Sequence, residues 1–287
     1  MLDINQLQLS PLDQKGLNTL VSWAQKEGWN PGPYDAQAFW NADPNGYYGY
    51  YHNDELIGGG SIVSYDGKFG FMGFFIVDEP HRSQGIGRQL WKQRRDKLLS
   101  RIHPGATIGM DGVVDMQAFY EKGGFKIAFR DLRFERKGQT FPIHSNITAI
   151  DDGDFSEIST YDNQCFGFPR PSFLLPWLKL PENHSFKYVE NGQLKGMAII
   201  RKANIGYKIG PLFADSYSIA EELYKACLNA VPEQMVYLDI PMSNSNALHL
   251  VESFEASYVF ECARMYYQKI PTMPWHKVYG ITSFELG

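Results

Sequence analysis

Residues 71–98 read FMGFFIVDEPHRSQGIGRQLWKQRRDKL. The apolar run Phe71 to Val77, broken only by Gly73, is short and rich in aromatic and branched side chains, which predicts a buried strand. Pro80 ends it, and Arg82-Ser83-Gln84-Gly85-Ile86-Gly87-Arg88 leads into a helix whose Ile86, Leu90 and Leu98 share a face. A helix that opens on a glycine-containing turn leaves unpaired N–H groups at its start, and its dipole favours negative charge there. A Cβ at Gly85 or Gly87 would hold a phosphate away from the backbone, and Arg82 adds a positive charge at the mouth. The stretch therefore predicts a pyrophosphate cradle. The plainer alternative is a strand-turn-helix with a glycine-relaxed corner.

Spacing narrows the choice. A P-loop needs Gly-Lys followed by Ser or Thr, and no lysine in this chain precedes Ser or Thr. A dinucleotide fingerprint needs a third glycine after Gly85 and Gly87, where Leu90 stands, and an acidic residue closing a second strand, which is missing. The remaining pattern, R-x-x-G-x-G after a strand, resembles motif A of the GNAT acyltransferases. The resemblance implies that residues 82–88 hold the pyrophosphate of acetyl-CoA and that main-chain groups of Phe75, Ile76 and Val77 pair with the pantetheine arm, one strand N–H serving the oxyanion.

The rest of the first half keeps the same order. Helices are expected over 11–26 and 34–41, the first capped by Ser10, then strands over 47–52, 55–65 and 68–77. Asn53-Asp54 and Asp66-Gly67 supply the hairpin turns. A helix over 85–101, a strand over 107–111, a helix over 115–122 and a closing strand over 124–135 complete it. Residues 137–146 are polar, contain Gly138 and Pro142, and read as a linker. The pattern then restarts: helices over 154–163 and 170–180, strands over 185–190, 193–201 and 205–212, a helix over 218–230, a strand over 235–240, a helix over 244–253 and a closing strand over 257–269. A last strand or ordered tail is expected over 279–286. The fold class is α/β (α+β): two tandem GNAT-like domains, 1–136 and 147–287, each a mixed, mostly antiparallel sheet flanked by helices.

Composition bounds the function. A chain of 287 residues, 44% hydrophobic and 15% aromatic, can bury two cores. A net charge of −5 argues against a nucleic-acid or anionic-membrane partner. Cys165, Cys227 and Cys262 are odd in number and far apart, so they form neither a disulfide framework nor a ligand pair; reduced thiols in a cytoplasmic protein are expected. The acidic start near Asp3 does not predict a secretory leader, and no apolar run reaches membrane-spanning length. The seven histidines show no ligand spacing, and no G-x-S-x-G occurs, so neither a metal nor a serine nucleophile is expected.

The two copies differ where chemistry would reside. Aligning Leu90 with Leu223 sets Arg82 against Asp215, and Gly85-Ile86-Gly87 against Ser218-Ile219-Ala220. Asp215 would repel phosphate and cap the helix, with Ser218 and Glu221 as a capping box. The first copy ends in Tyr120-Glu121-Lys122-Gly123-Gly124-Phe125, which resembles the GNAT ending whose tyrosine protonates the leaving thiolate; the second has Val251 there. The resemblance implies Tyr120 as general acid, the alternative being an aromatic on the inner face of its helix. Asp111, at the end of the strand over 107–111, is the candidate base; a helix cap or a chain of waters are the alternatives. Phe166-Gly167-Phe168-Pro169-Arg170, Gly210-Pro211-Leu212, Arg264-Met265-Tyr266 and the tail Tyr279–Gly287 resemble the YitH-like group, which pairs an ordinary GNAT domain with a divergent second one.

The expectation is an acetyl-CoA-dependent N-acetyltransferase acting by direct attack of a small or lysine-like primary amine, with no metal, nucleic-acid or membrane partner and the oligomeric state left open. A non-catalytic sensor of acetyl-CoA or a metabolite is the alternative. The second half is expected to cover the first half's cleft with carboxylates and aromatics, or else to be purely structural.

Overall fold

Two-residue turns set the register of the sheet. Asn53 and Asp54 (φ +49° and +63°), Asp66 and Gly67 (+49° and +71°), and Asn191 and Gly192 (+52° and +72°) all occupy the left-handed region, as type I′ hairpins require. The computed structural model describes residues 4–287. The first half runs β1 (Ser10–Pro11), α1 (Gln14–Lys26), α2 (Asp35–Ala42), β2 (Tyr47–His52), β3 (Glu55–Tyr65), β4 (Phe69–Val77), α3 (Ile86–Leu99), β5 (Thr107–Val113), α4 (Gln117–Lys122) and β6 (Phe125–Lys137). The second runs β7 (Ile147–Ala149), α5 (Phe155–Phe166), α6 (Pro171–Leu178), β8 (His184–Glu190), β9 (Gln193–Lys202), β10 (Tyr207–Ala214), α7 (Tyr217–Ala230), β11 (Met235–Pro241), α8 (Ser245–Ser253), β12 (Ser257–Tyr267) and β13 (Val278–Gly280). One topology is present twice.

Local expectations fail at two helix starts. Ser10 does not cap α1: Ser10 and Pro11 pair with Gly49 and Tyr48 as an edge strand, where proline's missing N–H costs nothing. Asp13 caps instead, accepting from Gly16 N at 2.8 Å. In the second half Ser216, not Ser218, caps α7, its Oγ accepting from Ile219 N at 3.4 Å. Asp215 does not cap; it accepts from Tyr161 Oη at 3.0 Å and Lys277 Nζ at 2.9 Å.

The thirteen strands form one continuous sheet, ordered β1-β2-β3-β4-β5-β12-β6-β11-β10-β9-β8-β7 with β13 on β10. Only β4/β5 and β10/β11 pair in parallel. The closing strands are exchanged. β5 pairs with β12, from Ile108↔Tyr267 to Val113↔Cys262, and β11 pairs with β6, from Met235↔Lys137 to Pro241↔Asp131. β6 and β12 then lie against each other along their length. Each half is completed by the last strand of the other.

The helices pair across the halves as well. α1, α2, α5 and α6 share one core on one face, where Phe39 stacks on Trp177 at 5.7 Å and Phe69 on Phe168 at 4.4 Å. Asp35 on α2 pairs with Arg201 on β9, both buried, and the guanidinium lies 4.4 Å from the Trp177 ring. α3 and α4 cover the other face of the first half, α7 and α8 that of the second.

This exchange has a direct consequence. A fragment of residues 1–146 lacks β12 and leaves β5 with a bare, apolar edge. It should give no cooperatively unfolding monomer by light scattering and urea titration, whereas the whole chain should unfold with both halves together. A monomeric fragment with its own cooperative transition would contradict the coupling.

Candidate functional site

β4 and α3 bracket a groove. Gly85, at φ +86°, turns the chain into α3 without the penalty a Cβ would carry. Gln89 is the first amide of α3 with a backbone acceptor, Gly85 O at 3.4 Å, so the amides ahead of it face out of the helix start. A Cβ on Gly87 would reach Phe75 and Val77 only at 3.5 Å, an ordinary contact; the bare hydrogen keeps the groove floor open rather than relieving a clash. Phe75, Ile76, Val77, Arg82, Ser83 and Gly87 line this groove. The other residues of the predicted cradle contribute main chain and packing: Ile86 is buried with Tyr50 and Leu90, Gln84 Nε2 donates to Pro80 O at 3.2 Å, and Arg88 is exposed on α3. Arg82 Nε donates to Val77 O at 2.8 Å and Nη2 pairs with Glu27, so its charge is fixed at the mouth but shared with a carboxylate.

Beyond the groove the sheet opens. β4 and β5 stay paired only as far as Met72↔Met110. On β4's other side Gly59 faces Ile76 and Ser61 faces Gly73, so β4 carries one residue more than β3 over this interval. Phe74 takes up that bulge at φ +48°, a conformation rare for a non-glycine residue. Arg94 on α3 braces it: the fully buried guanidinium donates from Nη2 to Ser61 O at 2.5 Å and Gly73 O at 2.7 Å. These acceptors are carbonyls, and burial lowers Arg94 to about 9.

The gap between β4 and β5 is a cavity of about 150 Å³. Met72, Phe74, Phe75, Met110 and Tyr120 wall it from the first half, and Phe260, Cys262, Phe284 and Glu285 from the second. Trp29, Phe75, Val113 and Met116 border both groove and cavity, which form one passage. The expected cover by second-half aromatics and a carboxylate is thus present.

Tyr120 is 4% exposed, its ring 6.4 Å from Phe75 and 6.2 Å from Trp91. Gly112 makes room for it, since a Cβ there would come 3.0 Å from the ring. Burial raises the Tyr120 hydroxyl above the usual phenol range, with the Arg94 charge pulling the other way. It is a neutral phenol on the cavity wall.

Asp111 is on the same wall but not free. Arg264 of β12 donates to both of its oxygens, from Nε at 2.6 Å and Nη2 at 2.9 Å. Nor does it cap the next helix, since α4 begins after Met116. Asp131 of β6 sits beside the pair, 3.8 Å from Arg264 Nε, and as a carboxylate its oxygens would have no donor. As a carboxylic acid it can donate to Asp111. Burial pushes Asp131 well above the carboxylate range, and burial also pushes Asp111 up against the pull of Arg264. Burial thus biases both acids toward the protonated form, Asp131, which has no donor, more strongly than Asp111, which Arg264 holds at both oxygens.

Sequence reasoning did not reach Arg94, the Phe74 bulge, Arg264's partner, or Phe260, Phe284 and Glu285. Gly73 inside an apolar strand was a signal for the bulge, and a single acid in the apolar tail Phe284-Glu285-Leu286 was one for Glu285. Among the described residues no group of three or more His, Cys, Asp or Glu could hold a metal ion, and no helix is long and apolar enough to cross a membrane.

The family model described as "Acetyltransferase (GNAT) family" matches residues 15–125, and that described as "Acetyltransferase (GNAT) domain" matches residues 158–280. The chain is 28% identical over 267 residues to the holothin acyltransferase of Pseudoalteromonas sp. (strain SANK 73390), covering 92% of this chain and 89% of that protein. It is 24% identical over 239 residues to the uncharacterized N-acetyltransferase YitH of Bacillus subtilis (strain 168), covering 79% and 82%. The crystal structure of a putative acetyltransferase from Pyrococcus horikoshii superposes with a TM-score of 0.84 at 22% identity, over 100% of this chain and 98% of that one.

The acid at Asp131 fixes a pH dependence. Between the ordinary carboxylate range and its raised folded value, Asp131 keeps a proton that the unfolded chain has released, so stability falls as pH rises through that window. Asp131→Asn should flatten that decline, which amounts to at most about 1.4 kcal/mol per pH unit. Arg264→Met, which strands Asp111, should lose about 3–5 kcal/mol at neutral pH. Urea midpoints measured across a pH series check both.

Proposed function

The chain belongs to the GNAT acetyltransferase family, two such domains in tandem, and we propose that it transfers an acetyl group from acetyl-CoA to a primary amine at a single site in its first half. Residues 1–136 carry the chemistry in this proposal, 137–146 join the halves, and 147–287 form the divergent half that completes the cavity wall. The observation that carries the reading is the passage from the α3 cradle past the β4 bulge into a largely apolar cavity with a buried tyrosine on its wall. Proteins of this family use acetyl-CoA and act on amine or other acceptors; acyl transfer is the coarser activity, and the amine acceptor is our reading.

The groove fits the donor. The outward amides at the start of α3 and the open floor at Gly87 suit a pyrophosphate, with Arg82 beside it. Past Met72, β4 has no β5 partner, so its main chain at Phe75 to Val77 is available to an amide-bearing arm. When bound, acetyl-CoA supplies the activated acyl carbonyl. The bulge held by Arg94 aims a β4 N–H at the developing oxyanion, and Tyr120 gives its proton to the departing sulfur. Asp111 and Arg264 set the charge of the far wall. In the second half the corresponding turn is filled by Asp215 and its partners Tyr161 and Lys277, which leaves no place for phosphate. The likeness to the holothin acyltransferase over nearly the whole chain supports a defined compound as acceptor, admitted to the cavity.

Two experiments test this. Calorimetry should give one coenzyme A per chain, and Gly87→Glu, which adds a carboxylate at the groove floor without a positive-φ penalty, should weaken binding at least about tenfold while the thermal transition stays in place. Unchanged affinity would remove the cradle from the mechanism. Tyr120→Phe should lower kcat roughly 10²–10⁴-fold with coenzyme A affinity intact; a variant at full rate would assign the proton elsewhere.

A further inference from the structure

The carboxyls in and around the cavity differ in what they can still do. Asp111 is held at both oxygens by Arg264, and Asp131, behind the wall and without a donor, is pushed by burial toward its protonated form. Glu285 borders the cavity, is 3% exposed, and its buried Oε2 has no hydrogen-bond partner. A buried carboxylate oxygen left open is costly unless a ligand completes it. We infer that Glu285, supplied by the second half, receives the acceptor's amine and takes its proton, and that the acceptor is a primary amine on a compact apolar body. This rests on the acyl-transfer reading above.

The tail places Glu285 firmly. Arg170 Nη2 donates to Thr282 Oγ1 at 2.8 Å, Leu286 N donates to Ser283 Oγ at 3.1 Å, and Tyr65 Oη donates to Leu286 O at 2.7 Å. At Gly73 a Cβ would fall 2.1 Å from Glu285 O, so the tail lies directly on the β4 bulge, and only glycine admits it. The carboxylate is thereby delivered beside the strand that presents the acyl carbonyl. The charged groups facing it are Asp111 from β5, Arg133 from β6 and Lys208 from β10. Arg133 is bound to both oxygens of Asp239, at 2.6 and 2.7 Å. Lys208 Nζ donates to Trp29 O at 3.0 Å, and burial lowers it to about 7. Neither cation hydrogen-bonds to Glu285 among the described residues, which leaves Oε2 for an N–H donor from the ligand.

The rest of the wall sets the acceptor's body. Trp29, Met110, Met116, Phe260 and Phe284 present apolar surface. A volume of about 150 Å³ is close to that of an apolar protein cavity that takes up one benzene molecule. In the step itself, the nitrogen lone pair of the neutral amine forms the N–C bond and the C–S bond breaks. One N–H proton passes to Glu285 and the Tyr120 proton passes to sulfur. Glu285 then releases its proton to solvent and Tyr120 regains one, so that amine and thioester have become amide and thiol.

The test uses the full chain with acetyl-CoA, thiol release being read with benzylamine and 2-phenylethylamine as probes and a lysine-containing peptide as contrast. The ring amines should turn over and the peptide should be poor. Glu285→Gln should lower kcat/KM about 10²–10³-fold and leave coenzyme A affinity unchanged; Glu285→Asp should give an intermediate rate. A Gln variant that binds coenzyme A and keeps the wild-type rate overturns the assignment and leaves acyl transfer standing. Should the Gln variant lose coenzyme A binding, the Asp variant decides, and a wild-type rate there overturns the assignment. Turnover of the peptide but of neither ring amine overturns the acceptor class. No thiol release with any acceptor overturns the amine acetyltransferase reading, and this inference with it.

Discussion

The exchange of closing strands governs everything else in this molecule. With β12 beside β5 and β6 beside β11, each half's part of the sheet runs into a strand from the other half, and the seam is paired across the halves apart from bulges at Val259 and Ala128. Main-chain hydrogen bonds cannot be left open in a buried sheet without a large penalty, so the halves cannot separate without exposing two strand edges. The arrangement fixes the relative pose of the halves through the stiffest part of the fold. It also carries β12, and the tail that follows it, to the mouth of the first half's cleft.

The seam is held by charge as well as by backbone. Arg264 with Asp111, Arg133 with Asp239 and Arg201 with Asp35 are all buried bidentate or near-bidentate pairs between residues distant in sequence. All three join one half to the other, the second through the neighbouring strands β6 and β11. Such pairs contribute little net stability over apolar substitutes, but a shifted register would strand a charge at several kcal/mol. Their effect is to make one alignment of the two halves far better than its neighbours. The same cluster determines which acids near the cavity remain available for chemistry.

The divergence of the second half is physically coherent. Where the first half has a glycine turn, the second has Asp215 tied to Tyr161 and Lys277, and where the first has an open cleft, the second has a packed core. It supplies Phe260, Phe284 and Glu285 to the border of the first half's cavity. One topology thus serves twice, once around the groove and once as part of the cavity wall.

Local chemistry was legible from the residues alone. The hairpins at Asn53-Asp54 and Asp66-Gly67, the strand–turn–helix at 71–98 and the repeat of one topology all follow from patterns within a few dozen residues, because turn dihedrals and helix starts are decided by neighbours in the chain. Helix starts at Ser10 and Ser218 were misplaced because several polar residues in a row could cap, and packing chose Asp13 and Ser216. Asp111 was located from the sequence, but its pairing with Arg264 was not. Strand exchange, the Arg94 brace and the arrival of Glu285 at Gly73 join residues tens to hundreds of positions apart, and no periodicity encodes a partner so distant. The sequence determined the elements and the cradle; which strand closed which half, and so which carboxylate faces the cavity, was decided only when the two sheets became one.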